Sequence, residues 1–164
     1  MREMLTLKRE EIDTAIEENK LFEVLFNKHL DLWEKETQNI MINFTDEQIT
    51  FVMYGIMFAQ ASVGGFLQLL YHGFGIYIFG SPLAASIRKW GATATADLIQ
   101  DIAPRCLEVA NEINGKYTPE MIPELIEKYD DFGFYNKRFM ENTGLKEVMT
   151  YVENNIEKFI TIIE

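Results

Sequence analysis

Catalytic and metal-binding chemistry has little to work with in this chain, whose 164 residues include one cysteine and two histidines. Histidine is the usual general base and metal ligand. Neither His29 nor His72 has a second ligand at helical spacing, so His29 reads as a helix-face residue beside the core and His72 as a residue ending a helix before Gly73. Cys106 has no partner for an internal disulfide and no metal-ligand spacing around it, which makes it a small buried hydrophobe suited to a reducing compartment. No metal or cofactor is expected.

Positive charge is also scarce. Fifteen Lys and Arg stand against 26 Asp and Glu, a formal net charge of −11. Phosphate binding rests on clustered cations, so nucleic acid is disfavoured as a direct ligand, and anionic membrane surfaces are repelled for the same reason. The opening residues, Met1-Arg2-Glu3-Met4-Leu5-Thr6, carry no apolar run of the signal-peptide kind, and a cytoplasmic protein is expected. The glycines of Gly64-Gly65 and Gly73-Phe74-Gly75 lack the lysine and the strand-to-helix setting of a phosphate loop. Asp130-Asp131 lacks the alternating oxygen ligands of a calcium loop.

Charge of either sign is nearly absent from the middle of the chain. Residues 1–47 hold twelve acids and six bases, residues 48–100 one acid and two bases, and residues 101–164 thirteen acids and seven bases. Unpaired charges are costly to bury, so the middle block is the expected core and the acidic blocks are expected to wrap it. From Ile49 to Tyr71 there is no charged side chain at all, a length that would span a bilayer. Gln60, Ser62 and Gln68, the Gly64-Gly65 pair and the acidic flank Asp46-Glu47 argue instead for a buried helical pair.

What is present is helical periodicity. At ~100° per residue, Ile12, Ile16, Phe22, Phe26, Leu30 and Trp33 share one face of an amphipathic element spanning about residues 8–36, with a kink or break at Asn19-Lys20 and the core-side Glu23. Thr45 or Asp46 caps a second helix. Ser81-Pro82 starts a short helix to about Trp90, Gly91 punctuates, and Thr93 or Thr95 opens another, bent at Pro104, that ends near Asn114-Gly115. Pro123 delays the next regular helix, in which Leu125, Ile126 and Tyr129 point inward. A last helix, about Leu145 to Ile163, buries Val148, Val152, Ile156, Phe159 and Ile163. Gly75–Phe79 is the only β-like stretch and is expected to be a buried loop. The fold class that follows is all-α: a compact single domain over residues 1–164, a bundle of about six or seven helices around a central uncharged helical pair.

The acidic faces are the remaining functional candidates. Carboxylates at i, i+3 and i+7 lie roughly 5–6 Å apart along a helix, close to the spacing of phosphates along a strand. Glu10, Asp13 and Glu17 fit this pattern, as do Glu124, Glu127 and Asp131, while Glu153 and Glu157 mark a third acidic side. Solvated helix faces look the same, and Lys20 and Lys128 weaken the field.

Gly64-Gly65-Phe66-Leu67-Gln68-Leu69-Leu70, followed by His72 and Gly75, then Trp90-Gly91-Ala92 and finally Tyr129-Asp130-Asp131-Phe132, resembles the signature of a bacterial all-helical family of the DNA-mimic protein (DMP) type. The likeness covers about residues 45–159. Val63 and His72 stand where that pattern has asparagines. Gly64, Gly65, Phe66, Gln68 and Gly91 read as fold-determining, the glycines permitting close helix approach. The resemblance implies an all-helical monomer or homodimer that places an acidic surface on the DNA-binding face of a transcription regulator or other DNA-binding protein. Three readings stay open beside it: an immunity- or antitoxin-like helical partner, a structural helical domain with no activity, and an enzyme using carboxylates such as Asp97 or Asp101. A binding module that is not an enzyme and has a basic or DNA-binding protein partner is the reading the residues favour.

Overall fold

A computed structural model describes residues 4–36, 43–113 and 115–164. The order is β1 (Leu5–Lys8), α1 (Arg9–Glu17), α2 (Leu21–Lys35), α3 (Asp46–Tyr71), α4 (Gly75–Phe79), α5 (Leu83–Lys89), α6 (Thr93–Ile113), α7 (Ile122–Lys128), α8 (Phe132–Glu141), α9 (Leu145–Asn154) and β2 (Ile160–Ile163). Short 3₁₀ turns at Pro119–Met121 and Ile156–Lys158 precede α7 and β2. The all-helical reading holds. The count is corrected, with nine α-helices among the described residues against the six or seven expected.

The described chain forms two compact units, one made of the segment up to Val52 with Met149–Glu164, the other of Met53–Val148. In the first unit, β1 and β2 pair in parallel, with Leu5 opposite Ile160 and Lys8 opposite Ile163. The predicted last helix is therefore too long. It stops at Asn154, and Ile163 sits in a strand, 45% exposed. The first amphipathic element does break where expected, at Asn19, which adopts φ +57° while Lys20 N–H bonds back to the Ala15 carbonyl. Ile16 is exposed rather than inward, because the break rotates the inward stripe to Ile12 and Ala15 before Leu21, Leu25 and Phe26 take over. Glu23 is exposed too, not core-side. The rings of Phe26, Phe22, Phe51 and Phe159 pack in that order at 5.6–5.9 Å between centroids, stacked or edge-on. Such pairs contribute about 0.5–1.5 kcal/mol each beyond their buried area.

Thr45 caps α3 as the sequence suggests. Its Oγ1 accepts the Gln48 N–H (3.1 Å) and Gln48 Oε1 accepts the Thr45 N–H (2.9 Å), a reciprocal box that occupies two donors the helix leaves open. α3 is long and apolar enough to cross a membrane by length and composition, and half of its most apolar stretch is buried within the protein. Its helical geometry fails at Gly65, so residues 46–64 and 66–71 are two helical stretches in place of one rod.

In the second unit the core is Tyr54, Met57, Phe66, Leu69, Ile78, Leu83, Ile87, Ile102, Cys106, Val109, Phe132, Phe139 and Val148. Gly75–Phe79 is a one-turn helix, not a loop. Gly75, Ile78 and Phe79 are buried while Ile76 and Tyr77 face out, a helical alternation five residues long that resembles a strand when read as sequence. α6 runs through Pro104 without interruption; Gln100 and Pro104 are both exposed, so water can satisfy the carbonyl that proline leaves without a donor. Leu125 in α7 and Tyr129 just past its end are buried, but Ile126 is 57% exposed, because the helix stops at Lys128 and presents one narrow inward edge. α8, which the sequence does not announce, packs Phe132 and Phe139 inward.

Candidate partner-binding surface

The glycine-rich signature builds a joint. Gly65 has φ +73° and ψ −176°, a backbone conformation that side chains exclude, and a Cβ there would collide with the Asn136 carboxamide. Asn136 Oδ1 accepts the Phe66 N–H at 2.9 Å, which closes the donor that the break opens. Phe66 is fully buried, at 5.5 Å from Phe139 and 6.1 Å from Phe79. A Cβ at Gly64 would collide with Gln68, whose Nε2 donates to Gln60 Oε1 (3.0 Å); the same oxygen lies 2.7 Å from His72 Nδ1. Val63, which replaces an asparagine of the pattern, is 81% exposed. Gly91, at φ +98°, ends α5 with Ala92 N–H on the Ile87 carbonyl. These residues shape the fold. Asn136, the partner of the joint, carries no mark in the sequence beyond its place after the aromatic segment.

Groups able to do chemistry are dispersed. His29 is fully buried and Cys106 is buried, its thiol pushed up by burial, so thiolate is suppressed. Asp97 pairs with Arg88 (2.7 Å) and Asp101 with Arg138 (3.0 Å), both at exposed positions. Among the described residues no group of three or more His, Cys, Asp or Glu stands close enough to hold a metal. A hollow of about 60 Å³ in the second unit, lined chiefly by Leu70, Tyr71, Ile76, Ala110, Ile113 and Tyr117, holds no acid or base.

The carboxylates are outside. Glu10, Asp13 and Glu17 are exposed along α1, and among the described residues none of the three is in an ion pair. Glu124 and Glu127 are exposed on α7. Asp131, placed with them by spacing, lies past the helix end in the fork of Arg105, with Nε to Oδ2 at 2.9 Å and Nη2 to Oδ1 at 3.3 Å. That pair removes it from the stripe, and it holds the guanidinium well above its ordinary pKa. Arg105 and Lys128 also lie over the buried Tyr129 ring, whose hydroxyl donates to Glu112. Glu153 is the penultimate residue of α9 and Glu157 sits in the following 3₁₀ turn; both are exposed, but a break at Asn155 separates them. Glu23, Asp31 and Glu34 form a stripe the sequence reading missed. They are exposed on one side of α2 at i, i+8 and i+11, and free of ion pairs among the described residues. The signal for this stripe is the helical spacing of the three acids, which the expectation of a core-side Glu23 obscures.

Charge divides unequally between the units. The segment up to Val52 with Met149–Glu164 holds fifteen acids and seven bases, a net −8; Met53–Val148 holds eleven and eight, a net −3.

The profile of the family described as DMP19-like protein matches residues 42–155. The chain belongs to this family. A curated relative, the DNA mimic protein DMP19 of Neisseria meningitidis serogroup B (strain ATCC BAA-335 / MC58), is 26% identical over 157 residues, covering 89% of this chain and 90% of the relative. The matched family span contains the Gly64–Gln68 joint, Gly91, Asn136 and the α7 acids. Glu10, Asp13, Glu17 and the α2 stripe lie before it.

Proposed function

We propose that this DMP19-like chain is an acidic protein-binding module that acts as a DNA mimic, occupying the DNA-binding surface of a transcription regulator or another DNA-binding protein. The observation that carries the reading is the coincidence of family membership, with a relative named a DNA mimic, and a formal charge of −11 of which −8 falls on one unit. The contact residues proposed are Glu10, Asp13 and Glu17 on α1, Glu23, Asp31 and Glu34 on α2, Glu124 and Glu127 on α7, and Glu153 and Glu157. Asp131 contributes less, because Arg105 already neutralises it.

Carboxylates fixed on helices resemble a phosphate ladder in two respects, spacing and rigidity. A basic surface that binds DNA meets a field of the same sign here, on carboxylates already fixed by their helices. Function on this reading is binding alone, in the cytoplasm, as a monomer or homodimer, without cofactor, membrane or catalytic step. Immobilised protein presented with lysate of the source cells should retain DNA-binding proteins that elute in a salt gradient and that duplex DNA displaces. Partners that resist both salt and DNA would refute mimicry and favour a toxin-neutralising interaction driven by shape and apolar contact.

A further inference from the structure

His29 is fully buried on α2, and both of its ring nitrogens face backbone carbonyls: Nδ1 lies 2.8 Å from the Leu25 oxygen and Nε2 lies 3.2 Å from the Phe159 oxygen. A neutral imidazole carries one N–H. The shorter contact places the proton on Nδ1, which leaves the Nε2 lone pair against the Phe159 oxygen. The other tautomer would press a lone pair on Leu25 at still shorter range. The Phe159 carbonyl is held instead by Gln48 Nε2, which donates to it at 2.8 Å. Docking of the C-terminal segment on α2 thus includes one contact that is repulsive while the ring is neutral.

A proton on Nε2 would convert that contact into a hydrogen bond, but it would also bury a cation. The ring packs edge-on against Phe51, 5.5 Å between centroids. No carboxylate is hydrogen-bonded to it. On its own helix the nearby charged residues are Lys28, paired with Glu11, and Asp31, which is exposed. From α3 comes Glu47, and from the 3₁₀ turn before Phe159 come Glu157 and Lys158. Lys158 is engaged with Glu47 (3.9 Å) and with the Tyr151 hydroxyl from α9 (3.1 Å). Burial outweighs the two carbonyls and holds the ring below its ordinary pKa.

We propose that His29 is a proton-operated latch: proton uptake by its ring releases residues 155–164, and with them the β1–β2 pairing, from α2. The released segment is the cheap one to move, because its ladder is four residues long in a two-stranded sheet. The sign follows from linkage. A base whose folded pKa is depressed takes up its proton only in the opened state, so docking is fully stable above about pH 6.5 and weakens as pH falls from there toward the folded value.

Amide exchange of Ile160–Ile163, corrected for intrinsic rates, tests this in the full chain at pH 7.5 and 5.5, with α5 amides as reference. The expected result is an opening equilibrium that is larger at pH 5.5, by about tenfold at most, the limit set by an opened ring with its ordinary pKa. The rise persists in His72→Gln and is absent in His29→Gln. Unchanged or increased protection at pH 5.5 overturns the proposal. So does an NMR titration of the wild-type ring that places the His29 pKa at or above 6.5, a measurement that holds even if His29→Gln fails to fold.

Discussion

Gly65→Ala probes the feature on which the second unit turns. Alanine at φ +73°, ψ −176° sits where side chains are excluded, a strain of about 1–3 kcal/mol. Its Cβ also displaces the Asn136 carboxamide, so the Phe66 N–H loses its 2.9 Å acceptor inside the fold, about 1–3 kcal/mol more. The sum, about 4 kcal/mol, is a large share of the 5–15 kcal/mol that typical domains possess. Urea unfolding followed by Trp90 in a Trp33→Phe background reads the unit that carries the change. At an m-value of about 2 kcal/mol/M the midpoint should fall by about 2 M. Asn136→Ala removes the acceptor without the strain and should lower stability by about 1–3 kcal/mol. The double variant should be less destabilised than the sum, since the acceptor is lost only once. Gly91→Ala, at φ +98° with open space around its Cβ, isolates the backbone term at about 1 kcal/mol. Strict additivity of Gly65→Ala and Asn136→Ala, or a Gly65→Ala variant within 0.5 kcal/mol of wild type (about the spread of surface substitutions), would refute the reasoning.

Thr45→Ala opens the reciprocal cap with Gln48 and should destabilise the chain by about 1 kcal/mol in the same denaturation assay, with Thr45→Ser close to wild type. The Cys106 thiol should resist an aromatic disulfide reagent at pH 8 and react stoichiometrically in urea; rapid labelling of native protein would contradict its burial. Neutralising Glu10, Asp13, Glu17, Glu23, Asp31 and Glu34 with amides should flatten the salt dependence of partner binding more than neutralising Glu124 and Glu127; equal effects would remove the distinction between the two units.

Where a residue acts through its neighbours in sequence, the sequence shows it. The break at Asn19, the cap at Thr45 and the stop at Gly91 follow from local backbone chemistry, and so does the all-helical class. Long-range pairings leave no such trace. β1 and β2 are four residues each and more than 150 positions apart, so Ile160–Ile163 reads as the end of an amphipathic helix until Leu5–Lys8 is found beside it. Asp131 belongs to a plausible stripe until Arg105, 26 residues earlier, takes it. Asn136 has no meaning before Gly65 is placed against it.

The same long-range pairing decides where the charge resides. Along the chain the acids form two equal blocks of −6 around a nearly neutral middle, which suggests a symmetrical acidic coat. Pairing of β2 with β1 draws the last sixteen residues, net −2, into the unit that already holds the N-terminal block, and leaves residues 101–148, net −4, with the middle block and its net +1. The unit receiving residues 101–148 also places Arg88, Arg105 and Arg138 each on an aspartate, so part of its acidity is spent internally. In the other unit the described ion pairs are made by lysines, and the outward stripes of α1 and α2 stay outside them. On the proposed reading a cationic partner therefore gains most from the unit whose charge a short parallel ladder helps to assemble, and a weaker ladder should weaken its binding without altering a single carboxylate.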